Sequence, residues 1–251
     1  MTALNLFTMI SNVSTLVNEL KEAGIFIEIG GDFAAFRRLR SSQTDRSAVF
    51  PMFDVASSYV DDTNAFWICG FDENKELIHT QAIRVLELGD ATLSCHLRDH
   101  RHKYITPGST PDADRTFFSA LPSLDRISGR VGYHGEFWIK GGTIGRRNQG
   151  LTGVLSRIAF EMTMKLWSPD YMFAFVPTPL ASRGVTVRYG YPHCEMGAWY
   201  GPEQEVTSEE FLVWMSNGDM ETLLSATPRS LSDGIAVPER ERVVRPVDMV
   251  A

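Results

Sequence analysis

Short runs rich in β-branched and aromatic residues, bounded by glycine, proline or polar turns, predict six β-strands along the chain. Two of them, near residues 65–71 and 77–88, flank the polar turn DENKE, a pattern typical of an antiparallel hairpin. The other four are expected in IFIEIGG, GYHGEFWIKGG, YMFAFV and CEMGAWYG, which begin at residues 25, 132, 171 and 194. The chain therefore contains enough strand for a sizeable sheet.

Apolar residues at steps of three and four predict the helices, most clearly one that begins near Gly150 and reaches about Trp167. Its apolar stripe consists of Leu151, Val154, Leu155, Ile158, Ala159, Met162 and Leu166. A first helix is expected to begin at Ser11 or Ser14 and to end at Gly24. Shorter helices are expected in DFAAFRRLR, in FPMFDVASSYV and in LASRGVTVRYGYP.

The last part of the chain predicts one more helix and a tail. Thr207 or Ser208 together with Glu210 has the spacing of a capping box, which predicts a helix over TSEEFLVWM. After Ala226 the chain is rich in Pro, Arg and Glu, so we expect a tail that lies on the surface or is disordered. These elements predict a mixed α/β domain in residues 1–205, followed by a C-terminal helix and tail in residues 206–251.

Composition narrows the class of protein. A chain of 251 residues with 43% hydrophobic residues can bury a large core, and its formal net charge of -7 disfavours a protein that binds nucleic acid by neutralising phosphates. The three cysteines are widely spaced and form no CxxC pair, which favours a reducing compartment over a disulfide framework. Neither a signal peptide nor a membrane-spanning run is visible. We therefore expect a cytoplasmic protein with no nucleic-acid or membrane partner.

The segment RRNQGLTGVLSR, residues 146–157, joins a predicted strand to the long helix. The first-turn amides of that helix suit a phosphate, because they lack intrahelical acceptors and lie at the positive end of the macrodipole. Gly150 and Gly153 let a ligand approach the backbone, while Arg146 and Arg147 can contact phosphate oxygens. A solvated basic turn explains the same residues equally well. The segment has neither the ending of a P-loop nor a G-x-G-x-x-G fingerprint.

RNQGLT, within this segment, resembles the Q/R-x-x-G-x-G/A loop of the GNAT superfamily of acyl-CoA-dependent N-acyltransferases. It matches at Arg147 and Gly150 and has Thr152 where that family has Gly or Ala. The resemblance extends to the order of elements from about Ile25 to Tyr200, with RYGYP in place of the usual Y-x-x-x-G-F ending. It implies a single GNAT-like domain with a mixed, mostly antiparallel sheet flanked by helices, and a C-terminal helical appendage.

The same resemblance implies that acetyl-CoA or another acyl-CoA binds as co-substrate. The loop amides would bind the pyrophosphate, and the strands before and after the long helix would separate so that pantetheine lies between them. The implied binding residues are Arg146, Arg147, Asn148, Gln149, Gly150, Leu151, Thr152, Gly153, Ile139 and Val176.

Acyl transfer to an amine needs a free lone pair on nitrogen, so a proton acceptor is expected near the thioester. Glu136 lies in an otherwise apolar strand, and the resemblance implies that it is the general base, whereas strand alternation alone predicts a glutamate in solvent or in a salt bridge. His134 shares a strand face with Glu136 by period two and is a candidate proton relay. Thr186 stands where the family usually has its tyrosine acid; Tyr189 and Tyr200 could substitute, and Tyr189 is the candidate acid. A satisfied edge histidine and a packed core tyrosine are the alternatives for these last two roles.

Between Gly89 and Arg130 the pattern becomes irregular, which is typical of a functional cover or a poorly ordered segment. Its metal-ligand residue types are Cys95, His96, Asp99, His100 and His102. Their spacing fits no zinc pattern, so we expect a solvated loop or part of an acceptor pocket, and no metal. Cys194 follows His193 on a strand, where neighbours point to opposite faces, so we expect a structural thiol.

These patterns favour an enzyme that moves an acetyl or short acyl group from coenzyme A to the amine of a small molecule. A non-catalytic acyl-CoA-binding or regulatory domain is one alternative, supported by Thr186 and Thr152 in place of the usual residues. An enzyme similar to acyl-homoserine-lactone synthases is another, because residues 51–86 are faintly reminiscent of that group. Assembly into a homodimer is a further hypothesis.

Overall fold

The computed structural model describes the backbone of residues 3–108, 112–141 and 150–226, and the side chains of these ranges from Ser11 onward. Eight strands in this part of the chain form a single sheet. They are β1 (Phe26–Gly30), β2 (Ala65–Phe71), β3 (Leu77–Thr92), β4 (Phe117–Phe118), β5 (Ser128–Ile139), β6 (Tyr171–Pro177), β7 (His193–Tyr200) and β8 (Val206–Ser216). Their order in the sheet is β1-β2-β3-β5-β6-β8-β7-β4.

Helices cover both faces of this sheet. Within the described ranges they are α1 (Ala3–Glu22), α2 (Phe33–Ser41), α3 (Leu93–His100), α4 (Leu151–Leu166), α5 (Thr178–Ala181), α6 (Val185–Tyr189) and α7 (Asn217–Ser225). Neighbouring strands are antiparallel except β5 and β6, which are parallel. The predicted fold class, a mixed and mostly antiparallel sheet flanked by helices, is confirmed.

Two hydrophobic cores lie on opposite faces of the sheet, and strand alternation divides the residues between them. Trp67 of β2 packs into the first core with residues of α2, whereas its neighbours Phe66 and Ile68 pack into the second with residues of α1 and α4. We call these the α2 face and the α4 face. The predicted stripe of α4 therefore faces the sheet from Leu151 to Met162, as its spacing indicates, whereas its last member, Leu166, is 55% exposed.

The parallel contact between β5 and β6 is short. It joins residues 131–133 to residues 171–173, and β5 then continues to Ile139 and β6 to Pro177 without pairing to each other. Beyond the contact, and among the residues that the structure describes, β5 is paired only with β3 and β6 only with β8. The strand, loop, helix, strand unit predicted here is thus present, and its two strands diverge toward their carboxyl ends.

The predicted helix over Thr207–Met215 is wrong, because these residues belong to β8, which lies between β6 and β7 in the sheet. The run is apolar on both sides: Leu212 packs in the core of the α2 face, and Val213 and Met215 pack in that of the α4 face. A strand buried on both faces loses the period of two that would distinguish it from a buried helix. The predicted boundary at residue 205 accordingly falls inside the β7–β8 hairpin.

A C-terminal helix does follow, as α7, and its capping box is formed by Ser216 and Asp219. Arg157 of α4 holds the end of this helix by donating hydrogen bonds to the carbonyl oxygens of Leu223, Leu224 and Ala226, at 2.9, 2.5 and 2.7 Å. The expected tail after Ala226 lies outside the described residues.

Two further predictions need correction. Helix α1 extends back to Ala3, so neither Ser11 nor Ser14 begins it. FPMFDVASSYV forms consecutive turns instead of a helix, and its Met52 and Phe53 are buried in the core of the α2 face. The irregular segment from Gly89 onward contains the end of β3, helix α3 and, as its anchor in the core, the buried Tyr104. No helix in the described ranges is long and apolar enough to cross a membrane.

Candidate active site

A β-bulge interrupts β5 where it diverges from β6. Trp138 is paired with Thr80 of β3 and Gly135 with Ala82, so Glu136 and Phe137 together lie opposite Gln81. Glu136 has a φ of 55°, in the left-handed region that non-glycine residues rarely adopt. Its carbonyl oxygen accepts a hydrogen bond from the Thr80 hydroxyl at 2.7 Å, which holds the bulge in place.

The bulge changes which residues share a face of the sheet. Glu136 points to the α2 face, where it contacts Arg40, whereas His134 points to the α4 face, where it contacts Phe160. The prediction that Glu136 and His134 lie on one face is therefore wrong, because the extra residue breaks the period of two on which it rests.

A cavity of about 150 Å³ opens between the diverging strands. It is bounded by β5, β6 and β8, by the end of α6 and by the segment around Tyr104. The lining residues are Phe50, Tyr104, Thr106, Tyr133, His134, Gly135, Glu136, Phe137, Ala174, Phe175, Val176, Pro177, Leu180, Tyr189 and Glu210. All three predicted catalytic residues thus line one cavity, which is otherwise mainly aromatic and aliphatic.

Glu136 is buried in a network of three donors. Its Oε2 accepts from Arg40 Nε at 2.7 Å and from Arg46 Nη2 at 3.4 Å, and its Oε1 accepts from the backbone amide of Phe50 at 2.8 Å. Arg46 also lies over the ring of Trp138, 4.9 Å from its centroid. Both carboxylate oxygens are therefore occupied, which is the salt-bridge alternative that strand alternation predicts.

His134 is fully enclosed and uncharged near neutrality. Its Nε2 donates to Gln81 Oε1 at 3.0 Å, because the amide nitrogen of Gln81 is used in a hydrogen bond to the carbonyl oxygen of Leu155. Its Nδ1 accepts from the hydroxyl of Tyr191 at 3.3 Å. Burial lowers the pKa of His134 from 6.5 to about 3. Both ring nitrogens have protein partners, so a role as proton relay stays a prediction.

Tyr189 is the last residue of α6, which ends at Gly190 with a φ of 90°. Its ring lies 4.4 Å from that of Phe137, centroid to centroid, and burial raises the pKa of its hydroxyl. Thr186, one turn earlier, is also buried. Tyr189 therefore presents a protonated phenol to the cavity from the α4 face.

Glu210 also lines the cavity. The sequence does not identify it as a site residue, because the spacing of a capping box predicts that it begins a helix. It lies on β8 opposite Pro177 of β6, with 8% of its surface exposed, and it lines the cavity. The indole Nε1 of Trp199 donates to its Oε2 at 2.9 Å. Burial raises its pKa, and the Trp199 hydrogen bond partly opposes that rise. If TSEEFLVWM is interpreted as a strand, Glu210 becomes a candidate site residue, as a buried glutamate in that strand.

The predicted phosphate-binding loop is described in its second half only; Arg146, Arg147, Asn148 and Gln149 lie outside the described residues. Gly150 precedes α4 with a φ of 74° and has open space where a Cβ would be. Leu151 and Thr152 are buried, and the Cβ position of Gly153 is 3.4 Å from the carbonyl oxygen of Arg188. Of the two strand residues, Val176 lines the cavity, whereas the half-buried Ile139 pairs with His79 at the end of β5.

His96 and His100 lie on helix α3, where the sequence predicts a loop, and their ring centroids are 4.7 Å apart. His96 Nε2 lies 2.8 Å from the hydroxyl of Tyr104, and burial lowers its pKa from 6.5 to about 4. No three His, Cys, Asp or Glu side chains in the described ranges are close enough to hold a metal ion. His193 stacks on Trp214 and lies 3.2 Å from Asp219, away from the adjacent Cys194 thiol.

Neither a family model nor a curated protein matches this chain. Several solved structures, in contrast, do match this chain. An N-acetyltransferase from Staphylococcus aureus Mu50 is 10% identical, with a TM-score of 0.41, over 77% of this chain and 97% of its own. A variant of the spermidine N-acetyltransferase SpeG from Vibrio cholerae is 11% identical, with a TM-score of 0.43, over 79% of this chain and 97% of its own. SpeG from Vibrio cholerae in complex with manganese ions is 10% identical, with a TM-score of 0.43, over 80% of this chain and 96% of its own. With every TM-score below 0.5, these matches describe a remote likeness of fold and assign neither substrate nor catalytic residue.

Proposed function

We propose that this protein transfers an acetyl or short acyl group from an acyl-CoA to the amine of a small molecule. The observation that carries the proposal is the separation of β5 from β6 beyond Tyr133 and Phe173, with a cavity between the strands and the N-terminus of α4 in the connection that follows β5. An acyl-CoA needs a site for its pantetheine arm, a site for its pyrophosphate and catalytic groups at its thioester, and each of these has a counterpart here.

The pantetheine arm is an extended chain that carries two amide groups. Residues 134–138 of β5 have no strand partner on the side of β6 within the described part of the chain, so this edge of β5 is open to an inserted chain. An extended ligand can lie here much as a strand would, with Val176 beneath it. The gap supports pantetheine as its occupant.

The pyrophosphate needs hydrogen-bond donors and positive potential. The first turn of α4 offers both through the amides of Leu151 and Thr152, which precede the first intrahelical hydrogen bond, donated by Gly153 to the carbonyl oxygen of Gly150 at 2.9 Å. Gly150 leaves the approach to these amides open. Arg146 and Arg147 follow from the sequence as further phosphate contacts.

The thioester needs an amine without its extra proton and a proton for the departing sulfur. Tyr189 lines the cavity with a phenol that is protonated at neutral pH and can supply this proton, although burial, by raising its pKa, makes it a weaker acid. Glu136 lines the cavity as well and remains a candidate base, with Arg40, Arg46 and the Phe50 amide as donors to its carboxylate. A cavity lined by two carboxylates and several aromatic rings favours a cationic amine as acceptor.

Release of free thiol from acetyl-CoA, with a panel of primary mono-, di- and polyamines, tests the proposal. We expect thiol release that requires both substrates, and a rise in melting temperature with coenzyme A alone, because the ligand binds the native state. Stabilisation by coenzyme A without thiol release on any amine would favour the non-catalytic binding domain. The absence of both effects would overturn the proposal.

A further inference from the structure

We propose that Glu210 binds the ammonium group of the acceptor amine and takes its proton; this inference rests on the proposed N-acyltransferase function. Glu210 lies opposite Pro177, at the end of β6 that is farthest from the parallel contact with β5. The carboxylate therefore lines the cavity where the two strands have diverged.

Glu210 differs from Glu136 in what satisfies its charge. Glu136 has two arginines and an amide, whereas the described residues give Glu210 a single hydrogen bond, from Trp199 to Oε2, and no salt bridge. Its Oε1 has no hydrogen-bond partner among them. A carboxylate buried without a cation costs free energy, and a cationic ligand in the cavity would remove that cost.

The groups around Glu210 complete a site for a cation. Tyr133 and Phe175 line the same cavity, and the ring of Phe175 lies 5.5 Å from that of Trp199. Aromatic faces attract an ammonium group, most strongly when it is desolvated. The other titratable groups of the lining are Tyr104, Tyr133, His134, Glu136 and Tyr189.

Among these groups Glu210 is the carboxylate without a cationic partner in the described residues, which makes it the stronger candidate base. Burial raises the pKa of Tyr104, Tyr133 and Tyr189, which keeps the phenols protonated, and the low pKa of His134 keeps it uncharged. Glu136 is held by its arginines. For Glu210, burial raises the pKa, so its carboxylate is a stronger base than an exposed glutamate.

The reaction balances as follows. The N–H bond of the ammonium breaks and its proton forms an O–H bond with Glu210 Oε1. The freed lone pair on nitrogen forms the C–N bond with the thioester carbonyl carbon while the C–S bond breaks, and sulfur leaves as thiolate with the electron pair. Nitrogen then passes its second proton to the thiolate, which becomes the thiol, and Glu210 returns its proton to water.

The test compares Glu210→Gln with the matched control Glu209→Gln, the exposed neighbour on β8. We expect Glu210→Gln to lower kcat/KM by about 100-fold or more, as for loss of a general base, and to abolish the acidic limb of the pH profile. Glu209→Gln should match wild type in both. Trp199→Phe, which removes the hydrogen bond that favours the charged form, should move the acidic limb to higher pH.

A second readout does not depend on turnover. In infrared spectra of the wild type recorded as the pH is lowered, the band of a protonated carboxyl group should form at a pH above the range in which exposed glutamates become protonated. This band should be missing in Glu210→Gln. Wild-type rates and pH profile in Glu210→Gln would overturn this inference and leave the proposed function standing. Wild-type protein that releases no thiol with any amine would overturn both.

Discussion

Arg40 and Glu136 form a buried ion pair between α2 and the bulge of β5, with 2.7 Å between Nε and Oε2 and 96 positions between them in the sequence. The side chains are 1% and 0% exposed. Arg40 also donates to Gln43 Oε1 and to the carbonyl oxygen of Ser47. The pair therefore fixes the segment after α2 against the strand that borders the cavity.

Replacing Arg40 by Ala should lower the free energy of unfolding by about 3–5 kcal/mol, because the Glu136 charge stays buried without its main partner. Urea unfolding measures this loss. Arg38→Ala is the matched control on the same helix, since Arg38 is 72% exposed and its contact with Asp32 is on the surface. We expect that control to change the free energy by less than about 1 kcal/mol. Equal losses in the two variants would mean that the buried pair contributes no more than a surface contact.

Lowering the pH should decrease the free energy of unfolding even in the range where the carboxylates are still charged. Burial lowers the pKa of both His79 and His134 to about 3, whereas the unfolded chain takes up these protons near 6.5. Between these values the unfolded state binds more protons, so stability falls as the pH decreases, by up to ~1.4 kcal/mol per pH unit for each histidine. Urea unfolding at pH 7, 6, 5 and 4 checks the slope. His134→Gln should flatten it, and His102→Gln, with 41% of its side chain exposed, should leave it unchanged.

Leu180 of α5 lines the cavity and is 38% exposed, so a larger side chain there can narrow the opening without entering the core. Leu180→Trp should raise the KM for the amine by about tenfold, the equivalent of 1.4 kcal/mol. Leu166→Trp, at the far end of α4 and 55% exposed, serves as control. An unchanged KM in Leu180→Trp would place the entrance elsewhere.

Arg157 connects α4 to the end of α7 through three carbonyl oxygens. Arg157→Ala should lower stability by about 1.5–3 kcal/mol, the usual value of a hydrogen bond to a charged group, and should speed proteolysis near Leu224. Mass spectrometry of the digest locates the cleavage. Arg183→Ala removes an arginine that is exposed and should leave both measurements as in wild type.

Local patterns predict the elements that carry a distinct local signal. Helix α4 has a single apolar stripe, and the β2–β3 hairpin has a clear turn, so both lie where the sequence predicts. Strand β8 has apolar residues on both faces, and no period remains to identify it. The error extends to the site, because the helix interpretation assigned Glu210 to a cap instead of to a buried strand.

The site depends on long-range partners that spacing does not contain. Glu136 could be predicted to lie in a strand, but Arg40 and Arg46 come from a different part of the chain. The bulge separates His134 from Glu136 because of one extra residue, which alternation cannot anticipate. The three predicted catalytic residues therefore line one cavity, whereas Glu136 and His134 lie on opposite faces of the sheet.

The three-residue contact between β5 and β6 makes the sheet two half-sheets joined along a narrow seam. One half consists of β1, β2, β3 and β5, and the other of β6, β8, β7 and β4. A chain inserted beyond the seam would complete the hydrogen-bond ladder and couple the halves mechanically. Amide hydrogen exchange along both edges would then slow together when coenzyme A is added, so occupancy of the cleft would register as cooperativity across the entire sheet.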